Sequence, residues 1–263
     1  MRVEAFVNMG EKSDAIEVRD GGSAAQRGLV THAVLVGLTP LIPVPLLDDL
    51  VKGYFRKRMV RALAAGAGRG LDEGELSALA AEHERGCLTG CLLTALVYPL
   101  KAVFRKVFYF LEWKRAVDLT SRTYHFGYLV GYALGPRAGG ASALDLYGAK
   151  AVNEAAQAAC REAPVKPVEA AVGGAFRGSR ALLRGAAALL GSSLRRVSGR
   201  AAPERVAEAI EEVTPREERE LDPVVTRIQR SIASVPEDHF RTLRARFDAH
   251  LGQPQAGPAR GPR

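Results

Sequence analysis

Apolar positions recur at helical intervals over most of this chain, and proline and glycine clusters punctuate them. From Ala24 to Thr39 the pattern is that of a helix, with Ser23 placed to cap it after the break at residues 20–22. Prolines 40, 43 and 45 then interrupt it, since each lacks a backbone donor and restricts the residue before it. A second helix is predicted from about Pro45 to Ala65. Leu47, Val51, Phe55, Met59 and Leu63 lie on one stripe, and Lys52, Arg56, Lys57 and Arg61 take the other faces. Gly66, Gly68 and Gly70 end it, and Leu71-Asp72-Glu73 opens a third helix to about Arg85 with Leu76 and Leu79 inward. Residues 101–119 read as an amphipathic helix whose stripe is Leu100, Phe104, Val107, Phe108 and Leu111.

Past Gly135-Pro136 the chain turns to Ala, Gly, Ser and Arg. Residues 166–198 predict one long helix or two, with Val172, Phe176, Leu183, Leu190, Leu194 and Val197 on one stripe. Pro203 starts a helix to about Val213, and Thr214 with Glu217 has capping-box spacing. Asp222-Pro223 reads as an N-cap followed by proline at the first helical position. Ser234 with Glu237 caps a last helix bearing Phe240, Leu243, Phe247 and Leu251, closed by Gly252. Two weakly alternating runs within residues 1–20 suggest a small hairpin. The expected fold is all-α: a multi-helix bundle with apolar helical hairpins, C-terminal amphipathic helices and a disordered tail. Its segments are 1–22 (N-terminal), 23–135 (apolar helical), 136–202 (Ala/Gly/Arg-rich), 203–251 (C-terminal helices) and 252–263 (tail).

Three stretches carry no Asp, Glu, Lys or Arg: Gly28 to Leu47, Gly86 to Leu100 and Thr123 to Pro136. A spanning helix needs about 20 apolar residues. The first run reaches that length but is broken by proline, and the other two are shorter. Gly86 with Gly90, and Gly127 with Gly131 and Gly135, have the spacing of closely crossing helices in a bilayer or a soluble core. Lys and Arg border the middle run on both sides, which gives no inside–outside asymmetry for a single span. Hairpins that enter and leave on one face, or burial in a protein core, both satisfy the pattern.

The net charge of +8 is unevenly placed, with ten basic and four acidic side chains in residues 136–202. Twenty-nine of the 37 basic residues are Arg, which with abundant Ala and Gly is the mark of a GC-rich genome. Three cysteines, Cys87, Cys91 and Cys160, are too few and too uneven for a disulfide framework and suit a reducing compartment. Acids at 4, 11, 14 and 17 leave no order of basic then apolar residues, so no secretory leader is expected.

The order of apolar helix, LIPVPLLDD, basic helix, glycine-rich break and LDEGELSAL resembles the EcsC-like and YcjF-type bacterial helical families over residues 28–80. The resemblance implies a membrane-associated helical protein and carries over no catalytic residue.

Candidate chemistry is sparse. His83, Cys87 and Cys91 fall four residues apart, but on one straight helix they span about 12 Å, too far for a single ion. His83 with Cys87 is the pair that could share one, and buried cysteines beside a surface histidine are the plainer reading. His83-Glu84 begins like the HExxH zinc motif, which fails at Cys87. Asp48 and Asp49 suit the first turn of a helix better than a carboxylate pair. His32, His125, His239 and His250 have no sequence neighbours that suggest a triad, and no phosphate loop is present. Neither a catalytic residue nor a cofactor is expected.

Ten of the seventeen aromatics lie between Tyr98 and Tyr132. Lys101, Arg105 and Lys106 with Tyr109 and Trp113 suit a helix lying in a membrane interface. Arg177, Arg180 and Arg184 form a face that suits anionic headgroups or simple solvation; Phe176 is the lone aromatic near them, which argues against nucleic acid. The expectation is a non-enzymatic bacterial protein on the cytoplasmic face of the inner membrane, with a protein partner or self-association through its C-terminal helices. The alternative is a soluble cytoplasmic scaffold or interaction protein with the same apolar runs in its core.

Overall fold

The computed structural model describes residues 25–42, 48–82, 105–135, 145–197 and 203–252, and every regular element among them is helical. In chain order these are α1 (25–37), a single 3₁₀ turn (Thr39–Leu41), α2 (Asp48–Gly66), α3 (Glu73–Ala80), α4 (Arg105–Leu134), α5 (Leu146–Glu162), α6 (Lys166–Arg177), α7 (Arg180–Val197), α8 (Pro203–Ile232) and α9 (Glu237–Leu251). The all-α expectation holds. The hairpin expected within residues 1–20, the Ser23 cap, the run 86–100 with His83, Cys87 and Cys91, and the tail from residue 253 lie outside the described residues.

α1 is the axis of the fold. Leu29, Val30, Ala33, Val34, Leu35, Val36 and Leu38 are all buried, so the helix is apolar around its whole circumference. Such a helix needs neighbours on every side. α4 crosses it closely: a Cβ on Gly37 would overlap the Thr120 hydroxyl, and one on Gly127 would run into Leu29 and Met59. α8 closes another side, where Arg27 pairs with Asp222. Residues 123–134 of the third uncharged run are likewise buried or half-buried. The described parts of two uncharged runs therefore face protein. No helix among the described residues is long and apolar enough to cross a membrane.

Around this axis one apolar cluster draws side chains from every helix. α2 contributes Val51, Phe55 and Met59, on the stripe its sequence predicts. It ends at a left-handed glycine, Gly68 (φ 68°): the Arg69 N–H donates to the Ala64 carbonyl at 2.8 Å and the Gly68 N–H to Ala65 at 3.0 Å. α3 opens on a capping box in which Asp72 accepts from the Glu75 N–H at 2.7 Å and Glu75 accepts from the Asp72 N–H at 2.9 Å. It stops at Ala80 rather than near Arg85, because Ala81 is extended.

Four further features depart from expectation. α4 is one unbroken helix of 30 residues; Trp113, Ala116 and Val117 are inside, while Leu111 of the predicted stripe is 51% exposed. α5 has no counterpart in the hydrophobic pattern. Its buried face is Ala149, Val152, Ala155, Ala156 and Ala159, small side chains that let α5 lie close to α3, α4 and α9. α8 runs continuously through Pro215 and Pro223, so neither Thr214–Glu217 nor Asp222-Pro223 starts a helix. Its apolar face, from Val206 through Ile210, Leu221, Val225 and Ile232, is continuous across both prolines, and its packing on α6 and α7 outweighs about 3 kcal/mol for each. Pro236, not Ser234, takes the N-cap position of α9; the Ser234 hydroxyl donates to the Ser231 carbonyl at 2.7 Å.

Candidate functional site

The beginning of α4 and the turn between α6 and α7 meet at one corner of the molecule. Trp113 joins them. Its ring packs edge-on against Phe176 with centroids 5.7 Å apart, and the Arg180 guanidinium sits 5.6 Å from the indole centroid, within cation–π range. α6 lies against Val117 here, where a Cβ at Gly173 would make an ordinary contact at 3.6 Å. The turn itself is pinned to α8, where Arg227 donates to the Ser179 hydroxyl oxygen at 2.9 Å. A side chain at Gly178 would strike that guanidinium.

This seam brings together two groups that lie more than 60 residues apart in sequence, and it divides them by role. Trp113 is buried, which corrects its expected place at the surface: the indole is a packing element. Outside it, Phe110 and Leu111 are 65% and 51% exposed on consecutive positions, and Lys114 and Arg115 are exposed on the next turn. Arg177, Arg180 and Arg184 are exposed on the neighbouring helices, as their spacing predicts. Arg105, Lys106 and Tyr109 belong to the start of α4, and Lys101 lies outside the described residues. The elements that meet at this seam thus expose two large apolar side chains and five basic ones.

A cleft of about 450 Å³ lies between α2 and α3, lined by Asp49, Lys52, Arg56, Lys57, Ser77 and Glu82. Its cations are committed. Lys52 pairs with Glu82 at 2.9 Å and with Asp49 at 3.3 Å, and Lys57 pairs with Glu73 at 2.9 Å. Arg56, expected on a solvated face, is buried instead: its guanidinium lies 3.9 Å from the Phe126 centroid and 3.7 Å from Glu82, and burial lowers its pKa. The Ala81 carbonyl that ends α3 accepts from Asn153 at 3.0 Å and from Gln157 at 2.9 Å. These polar groups tie α2, α3 and α5 together.

The histidines form a pair that sequence reasoning missed. His125 Nε2 and His239 Nε2 are 2.7 Å apart. His125 Nδ1 lies 2.9 Å from the Ser121 carbonyl, which can only accept, so Nδ1 carries the proton. Nε2 is then the acceptor, and His239 donates to it. Burial, then the neighbouring imidazole, pushes the pKa of His125 down to about 4, and burial lowers that of His239. The nearby Ser121 hydroxyl donates to the Val117 carbonyl at 2.8 Å. His32 similarly donates from Nδ1 to the Gly28 carbonyl at 2.7 Å, and its Nε2 is buried without a partner. His250 bonds Glu162 at 3.0 Å. Among the described residues no three His, Cys, Asp or Glu side chains are placed to hold a metal ion. Cys160 is half-buried, and burial pushes its thiol up to about 12.

The chain matches no protein-family model, no curated protein and no solved structure.

Proposed function

We propose that this is a non-enzymatic helical protein that docks on the anionic, cytoplasmic face of a membrane through the corner formed by α4 and the α6–α7 turn. The observation that carries the reading is the exposure of Phe110, Leu111, Lys114 and Arg115 on α4, and of Arg177, Arg180 and Arg184 on the helices that join it at Trp113. Shallow insertion of two large apolar side chains contributes about 1.5–3 kcal/mol each, and each basic residue near an anionic surface about 1 kcal/mol. Attachment is peripheral, since the described parts of the uncharged runs 28–47 and 123–136 are already covered by protein.

The test is sedimentation with vesicles of phosphatidylcholine alone or mixed with phosphatidylglycerol. The protein is expected to pellet with the mixed vesicles only, and Phe110→Ser with Leu111→Ser to weaken binding more than tenfold. Equal binding to neutral vesicles, or none to either, would reject docking through this corner. A second reading, a soluble scaffold, draws on the same buried runs. It is favoured if the wild-type protein self-associates without lipid and the Phe110/Leu111 variant does not.

A further inference from the structure

The interface between α7 and α8 is the most extensive helix pair among the described residues, and it contains an acid with nothing to bind. Glu217 is fully buried, and neither carboxylate oxygen has a hydrogen-bond partner. α7 packs on α8 with its Leu190 backbone near Glu217, and its buried positions Leu183, Ala186, Leu190 and Leu194 hold no titratable side chain. α6 also packs on α8, with Val168, Val172 and Phe176 on its buried side. On α8 itself the neighbours are Glu220, which disfavours a second negative charge, and Thr214, whose hydroxyl already donates to Ile210 at 2.6 Å. Arg58 of α2 is taken by Glu218 at 3.1 Å. A carboxylate without counter-charge or donors is costly in such a place, so the closed interface holds the neutral acid.

What Glu217 holds down is unusual in its charge. α7 carries four arginines and no acid, opposite a continuous apolar stripe, which is the composition of a helix that lies in an anionic interface. Two of those arginines, Arg180 and Arg184, belong to the docking corner. We propose that α7 is a releasable helix: it separates from α8 when Glu217 gives its proton to water, and its freed apolar stripe and arginines take up anionic lipid. This rests on the docking reading above and names the element that enters the bilayer surface and what governs it.

Burial raises Glu217 to about 8, against a small opposing effect of the Leu190 backbone, which lies near but not in hydrogen-bond geometry. In an opened α7 the acid returns to the ordinary glutamate range. The opening equilibrium therefore rises about tenfold per pH unit between that range and about 8, then levels off.

Hydrogen exchange of peptides from residues 180–197, corrected for intrinsic rates, tests the latch in the full-length protein between pH 5.5 and 7.5. Opening is expected to rise roughly 50-fold in the wild type and to stay flat in Glu217→Gln and Glu217→Leu. Infrared spectra read the acid directly: a protonated carboxyl stretch at pH 7 should vanish in Glu217→Gln. Its absence from the wild type, or pH-independent exchange of α7, overturns the latch. On phosphatidylglycerol vesicles the wild type should bind at least tenfold more tightly at pH 7.5 than at 5.5, and Glu217→Leu should lose that dependence. Equal affinity of the two at both pH values, with α7 still protected when bound, overturns release and leaves docking through a rigid corner standing. Failure of every form to bind removes the docking reading itself, whatever α7 does.

Discussion

Two single atoms show how tightly the axis of this protein is fitted. Gly37 has no room for a side chain: beyond the overlap with the Thr120 hydroxyl, a Cβ would stand 2.9 Å from Thr120 Cβ and 3.0 Å from the Ala116 carbonyl, which is backbone and cannot swing away. Gly37→Ala should therefore cost about 2–3 kcal/mol, read as a drop of roughly 5–10 °C in thermal unfolding. Gly53, where a Cβ meets open space, is the matched control. The other atom is His125 Nε2, the buried acceptor of the imidazole pair. A first proton can go to Nδ1 of the half-buried His239 without breaking the bond, since that ring still donates from Nε2. A proton on His125 itself would set two donors against each other. Its pKa is depressed by burial, so the stability it contributes is present above the ordinary histidine range and is lost as pH falls through about 4. Urea unfolding should lose up to about 3 kcal/mol between pH 6.5 and 4, and His125→Leu should lack that slope.

At the scale of elements, Glu217 acts in the opposite sense. Its raised pKa means that stability is greatest below the ordinary glutamate range and is lost as pH rises toward about 8. Glu217→Leu should gain a few kcal/mol over the wild type at pH 8 and little at pH 4, measured by the same urea titration. What was legible in the sequence follows from what each helix needs. Stripes of large side chains, such as Val51, Phe55 and Met59, or Leu183, Leu190 and Leu194, are read directly, because their spacing is local. α5 escaped although Lys150, Glu154, Gln157 and Arg161 are helically spaced, because its buried stripe is alanine with a single valine and holds no large side chain to mark it. The capping signals of α8 were chemically sound but lost to a long amphipathic face that packs straight through both prolines. At the candidate site, the basic residues were visible one helix at a time. Their meeting across Trp113 and Phe176 was not, and neither was the His125–His239 pair, 114 residues apart. No local pattern reports which helices become neighbours.

For the whole molecule, peripheral docking makes a prediction that bilayer insertion does not. Contacts between exposed arginines and lipid headgroups are screened by salt, so vesicle-bound protein should be released by raising sodium chloride from 0.1 to 1 M, checked by sedimentation before and after. A chain anchored by its uncharged runs would stay in the pellet. The position of α1 has a separate consequence during synthesis. This largely apolar helix is made before its covers, which include Gly127 on α4 and Asp222 on α8. At about 5–20 residues per second, roughly ten to forty seconds separate its appearance from that of its last partner. For that interval the apolar faces of α1 that α4 and α8 cover in the folded protein lack those partners.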